Sequence, residues 1–372
     1  MKSLNVTGKK VLLRVDFNVP QDKTGAITDD SRIRAALPTI QYLLDKGATV
    51  ILMSHLGRPK GKDSKYTLKP CAERLEQLLK RKVTFVPDCL GPVPEGSLIL
   101  LENVRFYPAE EDPKSDPEFA KKLSQLGDFY VNDAFGTAHR AHSSTCTIAQ
   151  YFPGKKAMGF LMDREVKFLK NAFTNPKRPF MAIVGGAKVS TKIGVLKALL
   201  NKVDALFIGG AMAFTFLKAQ GIPIGNSLYE EQFVEEAKRL LSKKLYLPVD
   251  LVVTDSKTVK ITSTGVPEGF TGVDIGPKTC AQWQQQFSKA QTLFWNGPVG
   301  IFETPEFAKG TQFIAKAISE MKDATTIVGG GDSVAALEQL KLQDKITHVS
   351  TGGGASLELI EFGTLPGIEA LK

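Results

Sequence analysis

At 372 residues the chain is longer than one ordinary hydrophobic core supports, so two domains are the default. Its 42% apolar and 23% charged residues describe a folded globular protein and exclude disordered or fibrous classes. The formal charge of +9 is spread along the sequence, with 24 Lys+Arg against 18 Asp+Glu in residues 1–160 and 24 against 21 beyond, so no basic stripe of the kind nucleic-acid binding wants is present.

The longest mostly apolar stretch, Ala205–Leu217, is interrupted by Gly209, Gly210 and Thr215. It falls short of the ~20 residues of a membrane-spanning helix. Behind the basic N-terminus the apolar run Val11–Leu13 is too short for a signal peptide. Cys71, Cys89, Cys146 and Cys280 stand far apart without CxxC spacing, which predicts free thiols rather than disulfides or a metal site.

In chain order, short apolar runs predict strands at Lys10–Phe17, Thr49–Ser54, Val83–Pro87, Ser97–Asn103, Asp128–Asn132 and Ala157–Phe160. Helical spacing marks Ser31–Lys46, Lys69–Lys80 and Pro117–Gln125, with Ser31 the expected N-cap and Gly47 the expected residue just past the helix end. Asp163–Phe173 places Val166, Leu169 and Phe173 on one stripe and ends before Asn175-Pro176. It reads as a stiff helical connector, because the chemistry of the strand tips changes there. Further strands are expected at Pro179–Val184, Ala205–Ile208, Asp250–Thr254, Thr292–Trp295, Thr325–Val328 and His348–Ser350. Helices are expected at Thr191–Asn201, Met212–Gln220, Glu230–Lys243, Glu306–Met321 and Ser333–Leu340. This alternation predicts α/β architecture with a helix-flanked parallel sheet, twice over.

Ligands of open parallel sheets sit outside the carboxyl ends of the strands. In the first half those tips read RVDFNVP (14–20), SHLGR (54–58), ENVRF (102–106) and FGTAHRAH (135–142). Arg32, His55, Arg58, Arg105 and Arg140, with Asp16 and Asn18, form a basic set suited to a small anion, since a guanidinium fork pairs with phosphate or carboxylate. His139 and His142 lack the third ligand that zinc requires. In the second half the tips turn to glycine: GGAK (185–188), GGAM (209–212), WNGPVG (295–300), GGGDS (329–333) and TGGG (351–354). Bare backbone of this kind lets phosphates approach closely. Lys188 and Lys192, four apart, would share a face of a helix start. Asp332 opens a helix and suits Mg²⁺ held through nucleotide phosphates, and Glu303 is a candidate for the ribose. Neither GxxxxGK[ST] nor GxGxxG occurs. No activated nucleophile or general base is evident, and none is required if the acceptor is a carboxylate. Phosphoryl transfer between a nucleotide and an acid is the reading these two faces support. A nicotinamide-dependent dehydrogenase shares the fold class but wants the missing dinucleotide fingerprint. A DNA-binding protein would exploit the charge and would show salt-dependent retention.

Taken in order, RVDFNVP, SHLGRP, ENVRF, NDAFGTAHRAHSS, GGAKVSTKI, WNGPVGIFE, GGGDS and STGGGASLE resemble the signatures of the phosphoglycerate kinase family, from about Lys9 to Leu371. The resemblance implies two Rossmann-like doubly wound parallel-sheet lobes joined by a helix and facing a cleft. A 3-phosphoglycerate domain would comprise 1–160 with the tail 358–372, the helix 161–174, and the nucleotide domain 175–357. It implies ATP + 3-phosphoglycerate ⇌ ADP + 1,3-bisphosphoglycerate with Mg²⁺, by hinge closure, in a cytoplasmic monomer with neither nucleic-acid nor membrane partners. Asp16, Phe17, Asn18, Arg32, His55, Leu56, Gly57, Arg58, Arg105 and Arg140 would form the 3-phosphoglycerate site, with Arg32 nearest the moving phosphoryl group. Lys188, Lys192, Gly210, Asn296, Glu303, Gly329, Gly330, Gly331, Asp332, Ser333, Gly352 and Gly353 would form the nucleotide site, with Asp332 toward the metal and Arg32, Lys188 and Lys192 in catalytic roles. Two departures stand out. About ten residues are missing from 88–104, so the helix expected after Cys89 should shrink to a turn, and the loop 254–264 is compact.

Overall fold

The structure, a computed structural model, describes residues 1–263 and 265–372; the compact loop expected at 254–264 ends on Thr264, which lies outside them. Two compact units emerge, one of residues 1–168 with 364–372, the other of residues 169–363.

The first unit is built on β1 (Lys10–Arg14), α1 (Ser31–Asp45), β2 (Thr49–Met53), α2 (Lys69–Leu79), β3 (Thr84–Val86), β4 (Leu98–Leu101), α3 (Glu118–Ser124), β5 (Phe129–Asn132), β6 (Lys156–Met158) and the start of α4 (Phe160–Thr174). Its six strands run parallel in the order β3-β4-β2-β1-β5-β6. Alternate residues feed two cores. Val11, Leu13, Val50 and Leu52 face one, and Leu12, Ile51, Met53 and Tyr130 the other. A strand buried on both faces needs apolar side chains at every position, which is why β1, β2 and β4 read as unbroken runs. Each of these fully buried side chains contributes roughly 1.5–3 kcal/mol of transfer free energy. Ser31 is not the N-cap of α1. That place belongs to Asp30, while the Asp29 carboxylate accepts both the amide and the hydroxyl of Ser31, at 2.9 and 2.6 Å. Gly47 does follow the helix in the left-handed region, φ +72°, its amide donating to Leu44 O. After Cys89 there is only a turn, closed by the Gly91 amide on Asp88 O at 3.1 Å.

The second unit contains β7 (Phe180–Val184), α5 (Ile193–Leu200), β8 (Ala205–Ile208), α6 (Met212–Ala219), α7 (Val234–Leu240), β9 (Leu245–Tyr246), β10 (Leu251–Thr254), β11 (Val259–Thr262), β12 (Thr271–Ile275), α8 (Pro277–Phe287), β13 (Thr292–Asn296), α9 (Lys309–Ser319), β14 (Thr325–Gly329), α10 (Gly331–Gln339), β15 (His348–Val349) and α11 (Gly353–Phe362). A last short helix, α12 (Pro366–Glu369), returns to the first unit. The main sheet is again all parallel, β15-β14-β13-β7-β8-β9. The strand expected at Asp250–Thr254 lies outside it. β10 pairs antiparallel with β11 and β12 in a separate three-stranded sheet. Its cause is local: Asp255 Oδ1 accepts the amides of Lys257 and Thr258 and folds the chain straight back into a hairpin. Leu251 and Val253 are buried while Val252 and Thr254 are half-exposed, the alternation of a sheet with one wet face.

Candidate active site

In the first unit all strands point one way, so the loops after β1, β2, β4 and β5 leave from one edge of the sheet. A single polar chain threads them. Asp16 accepts Arg32 Nη1 at 2.7 Å and the Asn18 amide at 3.2 Å. Asn18 Oδ1 accepts the Gly57 amide at 2.8 Å, and the Gly57 carbonyl accepts Arg105 Nη1 at 2.7 Å. Arg105 Nη2 and Arg140 Nη1 then face the same Glu111 oxygen at 3.2 and 3.9 Å. Gly57 is at φ +63°, and a Cβ there would sit 2.3 Å from the Tyr66 ring, so no other residue fits this link. Arg58 stands exposed beside it. Phe17 and Leu56 serve through their backbone: their side chains belong to the core, while the Phe17 amide donates to Ser54 Oγ at 2.8 Å and Leu56 O accepts Asn103 Nδ2 at 2.8 Å.

The electrostatics suit an anion. Burial pushes the Asp16 carboxyl up, but the Arg32 charge, with Arg14 behind it, outweighs this and holds it at about 2. His55 is driven well below its usual value by burial and by the arginines around it, against the pull of Asp16. Its Nδ1 lies 3.2 Å from Arg14 Nη2, which can only donate, so the neutral ring carries its proton on Nε2. Burial first, then Arg105, Arg14 and Arg140, lower His142 to about 3. Arg105 Nε, His139 Nδ1 and His142 Nδ1 are buried without hydrogen-bond partners. Among the described residues no three His, Cys, Asp or Glu side chains gather as a metal site.

Arg14, which carried no role in the sequence reading, underlies this edge. It is fully buried, its Nε donating to Ser144 Oγ at 2.7 Å and its Nη1 to Val15 O. Glu110, also fully buried, accepts the Ser144 amide and hydroxyl at 2.9 and 2.7 Å. A strand-ending Arg ordinarily reads as a solvated one, so nothing in RVDFNVP marks this position as interior.

In the second unit the glycine tips divide into two kinds. A Cβ on Gly185 would lie 2.7 Å from Gly297 O, and one on Gly297 2.3 Å from Gly185 O. On Gly210 it would lie 2.6 Å from Gly186 O, and on Gly353 2.4 Å from Gly330 Cα. These glycines let neighbouring tips touch. Gly331 instead faces open space, and Gly329 would make only an ordinary 3.6 Å contact with Asn296 Nδ2. Lys192 Nζ donates to Gly185 O at 2.6 Å and Asn296 Oδ1 at 2.9 Å. That leaves Asn296 Nδ2 buried without a partner, 3.1 Å from where a Gly330 Cβ would be. Burial lowers the Lys192 ammonium to about 8, against the pull of the Asp332 carboxylate.

Lys188 and Lys192 do not share a helix face. α5 begins only at Ile193, with Lys192 at its cap, and Lys188 lies exposed in the preceding turn. The Glu230 carboxylate holds that turn open by accepting the Ser190 amide and hydroxyl at 2.9 and 2.6 Å. Ser333 Oγ accepts the Gly297 amide at 2.6 Å and so ties the first turn of α10, with Asp332, to the tip of β13. The α10 N-terminus follows Gly330 (φ +101°) with no side-chain cap, which leaves its amides for an anion. Gly352 caps α11 in the same uncapped way. A cavity of about 370 Å³ runs from Gly186, Gly210 and Asp332 to Glu303, walled by Phe214, Leu228, Leu251, Val299 and Ile301. Those walls escaped the sequence reading, because an apolar residue lining a pocket looks the same as one in a core.

Guanidinium groups on one parallel-sheet edge and a lysine-bearing glycine cup beside an apolar slot on another define a phosphotransferase. The phosphoglycerate kinase family model matches residues 1–362. Similar proteins include cytosolic phosphoglycerate kinase 3 of Arabidopsis thaliana, 51% identical over 100% of this chain and 97% of its own length. Phosphoglycerate kinase 1, chloroplastic, of the same plant is 51% identical over 100% of this chain and 81% of its own. The structure of phosphoglycerate kinase from Coxiella burnetii superposes with a TM-score of 0.87 at 42% identity, covering 100% of this chain and 98% of that one. The chain belongs to the phosphoglycerate kinase family. It is an enzyme that moves a phosphoryl group reversibly between ATP and the carboxylate of 3-phosphoglycerate. The alignment with the cytosolic Arabidopsis protein spans 392 positions against 372 residues here, so at least 20 positions of the relative have no counterpart in this chain.

Proposed function

We propose that the arginine edge of the first unit holds 3-phosphoglycerate and the glycine cup of the second holds the nucleotide. What carries this reading is the separation of chemistry: the polar chain from Arg32 to Arg140 belongs to one unit, and the lysine, the orphan Asn296 donor and the apolar slot belong to the other. Arg58, Arg105 and Arg140 take the substrate's phosphate, and Arg32 faces its carboxylate, with Asp16, Asn18 and neutral His55 fixing the frame. Glu303 takes the ribose. Lys192, Asn296 Nδ2 and the amides of Gly330–Ser333 and Gly352–Gly353 face the phosphates, with Lys188 at the rim.

The acceptor carboxylate is already ionised at neutral pH, so no base has to remove a proton. The carboxylate oxygen forms a bond to the terminal phosphorus as the bond to the ADP oxygen breaks. Arg32 and Lys192 offset the charge that builds on the moving group. A divalent cation fits beside Asp332: the exposed carboxylate lines the cavity, and among the described residues no group of three or more His, Cys, Asp or Glu side chains forms a ready-made cage, so nucleotide phosphates and water would supply the remaining oxygens. Bound there, Mg²⁺ would neutralise phosphate charge. Donor and acceptor start on different units, so transfer requires hinge closure, with α4 carrying the rotation and the hinges at its ends and near residues 350–357. A cytoplasmic monomer is the working form we assign.

A coupled assay with ATP and 3-phosphoglycerate measures the activity, and calorimetry tests the two sites. Arg58→Ala should weaken 3-phosphoglycerate by about tenfold or more, the worth of a charged hydrogen bond, and leave the nucleotide unchanged. Asp332→Ala should do the converse in Mg²⁺ buffer. The opposite pattern overturns the assignment.

A further inference from the structure

β12 lines the cavity along its whole length, Thr271–Ile275, and brings to that wall a carboxylate that the mechanism leaves without a task. Asp274 is buried, 4% exposed, on the short antiparallel sheet that the sequence reading did not anticipate. One carboxylate oxygen accepts the amide of Gly310, in the first turn of α9, at 2.6 Å. The other accepts the amide of Ile275 at 2.9 Å. A Cβ on Gly300 would lie 2.2 Å from this carboxylate and one on Gly310 2.3 Å, so both are glycines to let it in. Between these contacts runs the segment that leads to Glu303. It has two further fastenings, the Ile301 amide on Val273 O at 2.8 Å and the Val299 amide on Thr311 Oγ1 at 3.1 Å. Remove the carboxylate and the loop loses a side chain that ties β12 to α9 and packs against Gly300.

We infer that Asp274 is a positioning residue for nucleotide recognition: it sets where Glu303 presents its carboxylate to the sugar, and so governs how strongly the enzyme prefers a ribonucleotide. This rests on the reading of Glu303 as the ribose ligand. Asp274 touches no reacting atom. Its effect falls on the affinity and sugar selectivity of one substrate only.

Asp274→Asn keeps the shape but replaces one acceptor oxygen with an NH₂ group, so either Gly310 or Ile275 loses its partner. Steady-state kinetics with ATP, 2′-deoxy-ATP and 3′-deoxy-ATP read the consequence. The variant should raise KM for ATP about tenfold, keep kcat and the 3-phosphoglycerate KM within about twofold, and narrow the preference for ATP over the deoxy forms. A role in folding alone would lower stability without touching sugar preference. Glu303→Gln is run in parallel. If it narrows the preference while Asp274→Asn does not, the inference about Asp274 falls alone. If Glu303→Gln leaves the preference intact, the ribose reading falls and takes the inference with it. Should Asp274→Asn lack a cooperative thermal transition, Gly300→Ala crowds the same carboxylate from the loop side. It must narrow the preference too, or the inference is wrong.

Discussion

Lys192 is a cation kept where water would not choose to leave it. Two oxygens fix its Nζ, yet burial lowers its pKa from the usual 10.5 to about 8. An empty site therefore begins to lose this charge just above neutrality, while an unfolded chain keeps it to about 10.5. Between those values the unfolded chain binds more protons, so the Lys192 contribution makes stability rise with pH. Nucleotide binding runs the other way. Phosphates favour the protonated amine, so affinity should fall as pH rises through about 8, with proton uptake on binding. Calorimetry at pH 8.5 in buffers of different ionisation enthalpy would detect that uptake; heats independent of the buffer would refute it. Replacing the side chain by Lys192→Ala should lower kcat by about 10²–10³, the typical worth of one charge-stabilising donor. A variant within a few-fold of the parent enzyme would remove Lys192 from the transfer step.

Elements were legible in proportion to how much local chemistry decided them. The parallel strands announced themselves, since double burial forces unbroken apolar runs such as Phe180–Val184 and Ala205–Ile208. The tips announced their chemistry but not their contacts. Spacing alone could not show that Asp16, Asn18, Gly57 and Glu111 link the arginines, because those bonds join residues 16 to 48 positions apart or meet at a shared carboxylate. An apolar run alone places β10 in the parallel sheet, because the turn at Asp255 that folds it into a hairpin carries no hydrophobic signal, and periodicity gives no sign of α8 although Pro277 opens it and Asp250 caps it from outside. Sequence does not distinguish a glycine that lets two tips touch from one that faces open space, and substitution separates the two kinds. Gly353→Ala forces a Cβ to 2.4 Å from Gly330 and should cost about 1–3 kcal/mol by chemical denaturation. Gly331→Ala meets nothing within 4 Å and sits in α10, so stability should hold or rise slightly while nucleotide affinity falls. Equal losses of stability in both would mean that Gly331 also serves packing and not the ligand.

At the scale of the molecule the question is what lets two separately folded units share one reaction. α4 belongs to both, the division falling between Phe168 and Leu169. At its start the Phe160 amide donates to Thr39 Oγ1 at 2.9 Å and the Met162 amide to Asp133 Oδ1 at 3.1 Å, in the first unit. Near its end Phe173 packs edge-on against Phe180 and Phe294, with centroids 5.3 Å away in each case, in the second. A helix clamped at both ends carries rotation rather than absorbing it, so motion of one unit is passed to the other and the bending falls at the helix ends. Each substrate alone contacts one unit and has little differential affinity for a closed form. Only the pair gains contacts there that an open form lacks. Small-angle scattering should therefore show one radius of gyration for the free enzyme and for either single complex, and a smaller one with 3-phosphoglycerate and Mg-ADP together. An inert ternary mimic is required, since ATP would turn over during exposure. Full compaction by one ligand would place both halves of the recognition on a single substrate, and no compaction with two would remove hinge closure from the cycle.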